Sequence, residues 1–302
     1  MSTSKHLWAL ILAGGDGTRL QSMQLTRNGQ PVPKQYYPFD GRAPMIQWAL
    51  DRAGRHVPED RTVAVVARHH SRWWKTDLDA LPPENVIAQP RNRGTAPGLL
   101  LPVLDILRRD PEATLMVLPS DHYVADEGVV EESLELAAEE ARDGSLVLLG
   151  IQPEHANTEY GWIVPRPAGA SAQKTAEAVD CFVEKPDATT AERLFNGGAV
   201  WNSFMFTVRA DSLLHIYAQA LPGLLQSMMV ASRYRHDADG PRIVDGIYEL
   251  IGDACFSKQV LQRVVSSLRV VHVPSCGWSD LGTPDRLAVC SSFDSAQLQA
   301  AA

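Results

Sequence analysis

A six-residue apolar run, Leu7-Trp8-Ala9-Leu10-Ile11-Leu12, breaks without transition into Ala13-Gly14-Gly15-Asp16-Gly17-Thr18-Arg19-Leu20 and reaches Pro33-Lys34-Gln35. A run of this length and continuity predicts a strand buried on both faces, which restricts the chain to a covered sheet rather than an open amphipathic one. The glycines after it allow backbone amides to approach a ligand without an intervening side chain, and consecutive amides in such a turn form an anion-binding concavity. With Arg19 and Lys34 close by, the phosphates of a nucleotide are the natural guest.

Two familiar phosphate loops do not fit. The glycines are not followed at the right distance by Gly-Lys-Ser/Thr, so this is no P-loop. Gly15-x-Gly17 is followed by Leu20 where a dinucleotide fingerprint has its third glycine, and the following residues do not open a helix.

Similar apolar runs recur at Thr62 to Ala67, Val86 to Ala88, Thr114 to Leu118 and Ser145 to Leu149. Helical spacing lies between them, as in Ile46, Leu50 and Ala53 after Pro44, and in Val130, Leu134, Ala137 and Ala141. Alternating buried strands and helices predict a doubly wound, largely parallel sheet over about residues 1–150. After Gly150 the pattern changes: 159–164 and 178–184 read as a hairpin across a Pro/Gly/Ala-rich turn at 165–173. Ala199 to Val208 is another strand, helical material runs to about 251, and Leu268 to Val273 is the last strand. The Ala-rich end at 293–302 reads as a frayed tail.

At 302 residues the chain is long enough for a sizeable core, and its 45% hydrophobic and 21% charged residues are those of an ordinary globular protein. A net charge of −8 argues against a general nucleic-acid surface. Cys181, Cys255, Cys276 and Cys290 have no metal-binding spacing, and no run approaches the roughly 20 apolar residues of a membrane span. The expectation is a reduced, cytoplasmic protein without a leader segment.

Open α/β sheets bind ligands at the carboxyl ends of their strands. Five polar clusters fall there: Gly14 to Arg19, Gln89 to Thr95, Ser120-Asp121-His122, Glu184-Lys185-Pro186 and Trp201-Asn202-Ser203. Asp121 and Asp280 follow different strands, and two carboxylates delivered this way suit Mg²⁺, a hard ion that completes its shell with water and phosphate oxygens. Asp121 has a competing reading as a helix N-cap. Lys34 and Lys185 each adjoin a proline that restricts the local backbone; with Arg19 they supply the positive charge that phosphoryl or nucleotidyl transfer requires. His122 reads as a packing or hydrogen-bonding residue, and His69-His70 with Trp73-Trp74 as a loop and the start of an amphipathic helix.

These motifs together resemble the sugar-1-phosphate nucleotidyltransferases, above all the mannose-1-phosphate guanylyltransferases. The resemblance rests on Leu12 to Leu20 with Pro33-Lys34-Gln35, Arg93-Gly-Thr-Ala-Pro97, Leu118-Pro-Ser-Asp-His122, Phe182-Val-Glu-Lys-Pro186, Trp201 to Phe206 and Trp278-Ser-Asp280. It implies a Rossmann-like mixed sheet of the nucleotide-diphospho-sugar transferase type with an inserted β-rich sugar-binding part. One domain would cover 1–292, with a nucleotide half to about 150 and a sugar half beyond it.

The resemblance further implies that Leu12, Ala13, Gly14, Gly15, Gly17 and Thr18 hold the nucleotide, with Gln89, Arg93 and Thr95 facing base and ribose. Arg19 would take the outgoing pyrophosphate, Lys34 the reacting phosphates, and Asp121 and Asp280 Mg²⁺. Gly161, Glu184 and Asn202 would contact sugar hydroxyls, and Lys185 the sugar phosphate. The implied substrates are an NTP, foremost GTP, and a hexose 1-phosphate, foremost mannose 1-phosphate; a homodimer is compatible with the resemblance. Alternatives are a non-catalytic relative that binds a sugar nucleotide, and a transferase for another sugar or a non-sugar phosphate.

Three departures stand out. Gln21 to Val32 is longer and more polar than the family shows there, Gly94 stands where guanylyltransferases commonly carry Asn, and Phe204 replaces a common Gly. The extra isomerase or β-helix domain of longer members is not expected here.

Overall fold

The structure, a computed structural model, describes residues 5–17, 25, 29–39, 43–166, 175–283 and 286. The first half alternates as the sequence predicts: β1 (Leu7–Ala13), α1 (Met45–Gly54), β2 (Thr62–Ala67), α2 (Ser71–Asp77), β3 (Val86–Gln89), α3 (Thr95–Arg109), β4 (Thr114–Pro119), α4 (Glu127–Glu140) and β5 (Leu146–Ile151). Then come β6 (Gly161–Pro165), β7 (Glu177–Glu184), α5 (Ala188–Asn196), β8 (Val200–Arg209), α6 (Ala210–Ala220), α7 (Pro222–Tyr234), α8 (Gly240–Leu250), α9 (Phe256–Gln259) and β9 (Leu268–Val273). The Pro/Gly/Ala-rich turn and the 293–302 tail lie largely or wholly outside the described residues.

The nine strands among the described residues join one mixed sheet in the order β3-β2-β1-β4-β8-β5-β9-β7-β6. β1 is parallel to β2 and β4, and β3 is parallel to β2. β8 enters between β4 and β5, antiparallel to both, and β9 lies parallel to β5. The expected hairpin is there, with Gly161 opposite Glu184.

The continuous apolar run of β1 is explained by two cores, one on each face. Trp8 and Leu10 pack with Leu99, Val103, Tyr217 and Phe256 on one side, while Leu7, Ala9 and Ile11 pack with Ile46, Leu134 and Trp162 on the other. Each fully buried Leu or Ile of this kind stabilises the fold by about 1.5–3 kcal/mol. A strand with water on either face would lose half of these contacts.

Helix ends are set by local chemistry. The Asp126 carboxylate accepts from the amides of Gly128 and Val129, capping α4, a contribution of about 1 kcal/mol. The cap therefore belongs to Asp126 and leaves Asp121 available for other work. At the far end of α3, Arg108 and Arg109 complement the helix dipole. His69 and His70 close a 3₁₀ turn that leads into α2 with Trp73 and Trp74, as the sequence suggests.

Candidate active site

The strand ends of β1, β3 and β4 open onto a cleft of about 370 Å³. Its walls include Leu12, Gly14, Gly15, Gly17, Gln89, Thr95, Ser120, Asp121 and Phe204. Gln35 braces the glycine loop, donating from Nε2 to the carbonyls of Ala13 at 2.8 Å and Gly15 at 2.9 Å. Gly17 has φ +58°, and a side chain there would meet Lys34 Cβ at 2.8 Å. Only glycine lets the loop close this tightly over the lysine.

Lys34 is the electrostatic centre. It is only 6% exposed, its Nζ lies 2.9 Å from Asp121 Oδ2, and it also donates to the carbonyl oxygen of Asp280. Burial works against an ionised Asp121, but the charge of Lys34, joined by His122 once acid protonates it, outweighs burial and holds the carboxyl below the usual range. Asp280 behaves alike: burial opposes ionisation, and His122, Arg286 and Lys34 prevail. Backbone pairing of Tyr123 with Ser279 ties the two carboxylate-bearing segments together.

Asp280 has further partners that the sequence reading missed. Its Oδ1 accepts from Arg286 Nη1 at 2.6 Å, from Tyr160 OH at 3.3 Å and from the Gly282 amide at 3.0 Å. Arg286 also reaches Glu159 at 2.6 Å and lies over the Tyr160 ring. Nothing in a linear motif announces this, although Tyr160 directly precedes the singled-out Gly161.

His122 is a packing residue, as expected. Its ring meets Trp278 edge-on, its Nδ1 accepts from Trp278 Nε1 at 3.3 Å, and burial pushes its pKa down to about 4. A neutral imidazole so enclosed orients its neighbours.

A second cluster gathers Gly161, Glu184 and Asn202. A Cβ on Gly161 would lie 2.6 Å from Glu184 Oε2 and 3.3 Å from Asn202 Cβ, so glycine is what admits both polar side chains. Burial raises the Glu184 pKa against the opposing charges of Lys185 and Lys258. This cluster joins the cleft through Phe204, whose amide donates to Asn202 Oδ1, and meets Asp280 through Tyr160, whose carbonyl accepts from the Lys185 amide.

The non-glycine residues with left-handed backbone among those described are Lys185 (φ 51°), Phe204 (φ 58°) and Leu281 (φ 47°). Each stands one or two places after a candidate residue: Glu184, Asn202 and Asp280. Such conformations cost of order 1–3 kcal/mol apiece and persist where surrounding structure imposes them.

Not every candidate reaches the cleft. Leu12, Gly14, Gly15, Gly17, Gln89 and Thr95 line it, and Ala13 lies in β1 just before the loop. The Arg93 guanidinium instead donates to the Tyr248 carbonyl at 2.7 Å and pairs with Asp253 at 3.3 Å, holding the end of α8. Thr18 and Arg19, with most of the Gln21 to Val32 segment, lie outside the described residues.

The Nucleotidyl transferase family matches residues 8–297. Xanthan biosynthesis protein XanB of Xanthomonas campestris pv. campestris (strain B100) is 32% identical over 293 residues, covering 94% of this chain and 59% of that protein. Mannose-1-phosphate guanylyltransferase RfbM of Salmonella typhimurium is 32% identical over 291 residues, with the same coverage of 94% and 59%. The chain thus spans about three fifths of the length of these relatives. Among solved structures, one described as mannose-1-phosphate geranyltransferase from Thermus thermophilus superposes with a TM-score of 0.77 at 28% identity, covering 92% of this chain and 76% of that one. The mixed α/β sheet is therefore the nucleotide-diphospho-sugar transferase fold.

Proposed function

The chain belongs to the Nucleotidyl transferase family, and from that premise we propose that it joins an NTP, foremost GTP, to a hexose 1-phosphate, foremost mannose 1-phosphate. An oxygen of the sugar phosphate attacks the α-phosphorus in line. The new P–O bond forms as the bond to the β-phosphate oxygen breaks, giving an NDP-sugar and pyrophosphate. The attacking oxygen is anionic at neutral pH, so no protein base is needed, and His122 is left out of proton transfer.

The observation that carries this reading is the buried Lys34 held between Asp121 and the Asp280 backbone at the edge of a glycine-lined cleft. The glycine loop offers its amides to the nucleotide phosphates, and Lys34 offsets the charge that gathers on them as the bond exchange proceeds. Gln89 and Thr95 face the base and ribose. Gly161, Glu184 and Asn202 contact the sugar hydroxyls, Lys185 the sugar phosphate, and Arg19 the departing pyrophosphate.

Asp121 and Asp280 offer two ionised carboxylates, the first paired with Lys34 and the second with Arg286, and oxygen donors of this kind suit Mg²⁺. When bound, the ion supplies charge neutralisation on the phosphates. Tyr160 and Arg286 fix the Asp280 carboxylate in position. The domain assignment, a single catalytic unit over 1–292 in the cytoplasm, belongs to the same proposal; none of the described helices is long and apolar enough to cross a membrane.

The test is a matrix of NTPs against sugar 1-phosphates in Mg²⁺ with pyrophosphate detection. GTP with mannose 1-phosphate is expected to give the highest kcat/KM. Folded protein without turnover on any pair overturns the reading, and tight NDP-sugar binding without pyrophosphorolysis assigns a non-catalytic role.

A further inference from the structure

Asp16 stands between Gly15 and Gly17, which line the cleft, but its carboxylate turns toward the 3₁₀ turn that follows β2. Its Oδ1 lies 3.0 Å from His69 Nε2 and 3.9 Å from His70 Nε2. One ligand atom from each of the three residues lies within 4.8 Å of the others, and among the described residues this is the one such group of three. Neighbouring ligands of a tetrahedral ion with bonds near 2.0–2.1 Å are about 3.3 Å apart. The side chains therefore need only small rotations to converge.

The surroundings favour ligation. His70 is 7% exposed and packs edge-on against Tyr36 at 6.1 Å. Its Nε2 faces Asp16 Oδ1, so the ring nitrogen that would ligate is already turned toward the carboxylate. Asp16 Oδ2 accepts from Asn92 Nδ2 at 3.0 Å, an outer contact that orients the carboxylate. Two imidazoles and one carboxylate suit borderline transition metals; Mg²⁺ prefers an all-oxygen shell.

We propose that Asp16, His69 and His70 form a second metal site, selective for Zn²⁺-class ions over Mg²⁺, which ties the glycine loop to the turn after β2. Three protein ligands leave one coordination position for water or an exogenous oxygen donor. The site is separate from Asp121 and Asp280, and its occupation does not depend on nucleotidyl transfer. A bound ion holds Gly15 and Gly17 to a fixed wall of the cleft.

The test uses the full chain stripped with chelator and kept in excess Mg²⁺. Zn²⁺ is titrated by calorimetry, and Co²⁺ by visible absorption. The expected result is one ion per chain with a nitrogen/oxygen-type Co²⁺ spectrum. His69→Ala, at an exposed position, and Asp16→Asn, which keeps an oxygen toward Asn92, each weaken binding about ten-fold or more. His272→Ala, on β9, leaves binding unchanged. Absence of binding at micromolar Zn²⁺, unaltered affinity in His69→Ala, or a thiolate-to-Co²⁺ band from exposed Cys181 would each overturn the site.

Discussion

The two ends of the candidate site are built by opposite means. Around β1 the walls are mostly backbone and small residues: Gly14, Gly15 and Gly17, braced by Gln35 and set over Lys34. Around β6, β7 and β8 the walls are long polar side chains, Glu184 and Asn202, admitted by Gly161 and followed by left-handed residues. A triphosphate offers many equivalent oxygens, which a row of amides can meet. A sugar offers hydroxyls in fixed directions, which call for side chains of fixed direction.

That contrast can be broken at the seam between the ends. Asp280→Ala and Asp121→Ala are expected to lower kcat by roughly 10²–10³-fold for every substrate pair, with the fold retained by circular dichroism. Lys34→Met should cost about 10²-fold by the same assay, since it removes one charge and leaves Asp121 unpaired. Selective loss toward one substrate in any of the three would show that the seam serves one end only.

Two glycines sharpen the contrast. Gly161→Ala pushes on Glu184 and Phe182, and should raise KM for the sugar phosphate about ten-fold, or about 1.4 kcal/mol, with little change for the NTP. Gly14→Ala drives a methyl group into the Gln89 amide and should do the reverse. Equal effects on both substrates would erase the division.

The smallest effect is on stability. Because His122 titrates near pH 4 in the native protein and near 6.5 when unfolded, it contributes nothing above pH 6.5. As pH falls from 6.5 to 4 the unfolded chain takes up the proton first, and stability drops by up to about 3 kcal/mol. His122→Gln should therefore give a shallower fall of Tm over that window in calorimetry; His70, shifted the same way, keeps its own share.

Legibility in the sequence follows range of interaction. β1, β2, β4 and β5 announce themselves because burial on both faces leaves a continuous apolar run, a local signal. The entry of β8 between β4 and β5 leaves no such trace, since neighbour order in a sheet has no period along the chain. The same holds for side chains. Lys34 and Asp121 each stand in a recognisable motif, whereas Arg286 joining Asp280 to Glu159 and Arg93 turning to the end of α8 depend on partners brought near only by folding. Gln35 stands beside Lys34 in a recognisable motif, yet its part as a loop brace depends on carbonyls twenty residues and more away.

The position of β8 has a consequence for the chain as it is made. β4 ends at Pro119, yet the strand that covers its free edge begins at Val200, and the partner of β5 on the other side begins at Leu268. A nascent or truncated chain of 150 residues therefore carries unpaired edges at β4 and β5, the kind of surface that recruits strands from other chains. The first 150 residues cannot be lifted out as a free-standing module, because their sheet is finished by β8 and β9.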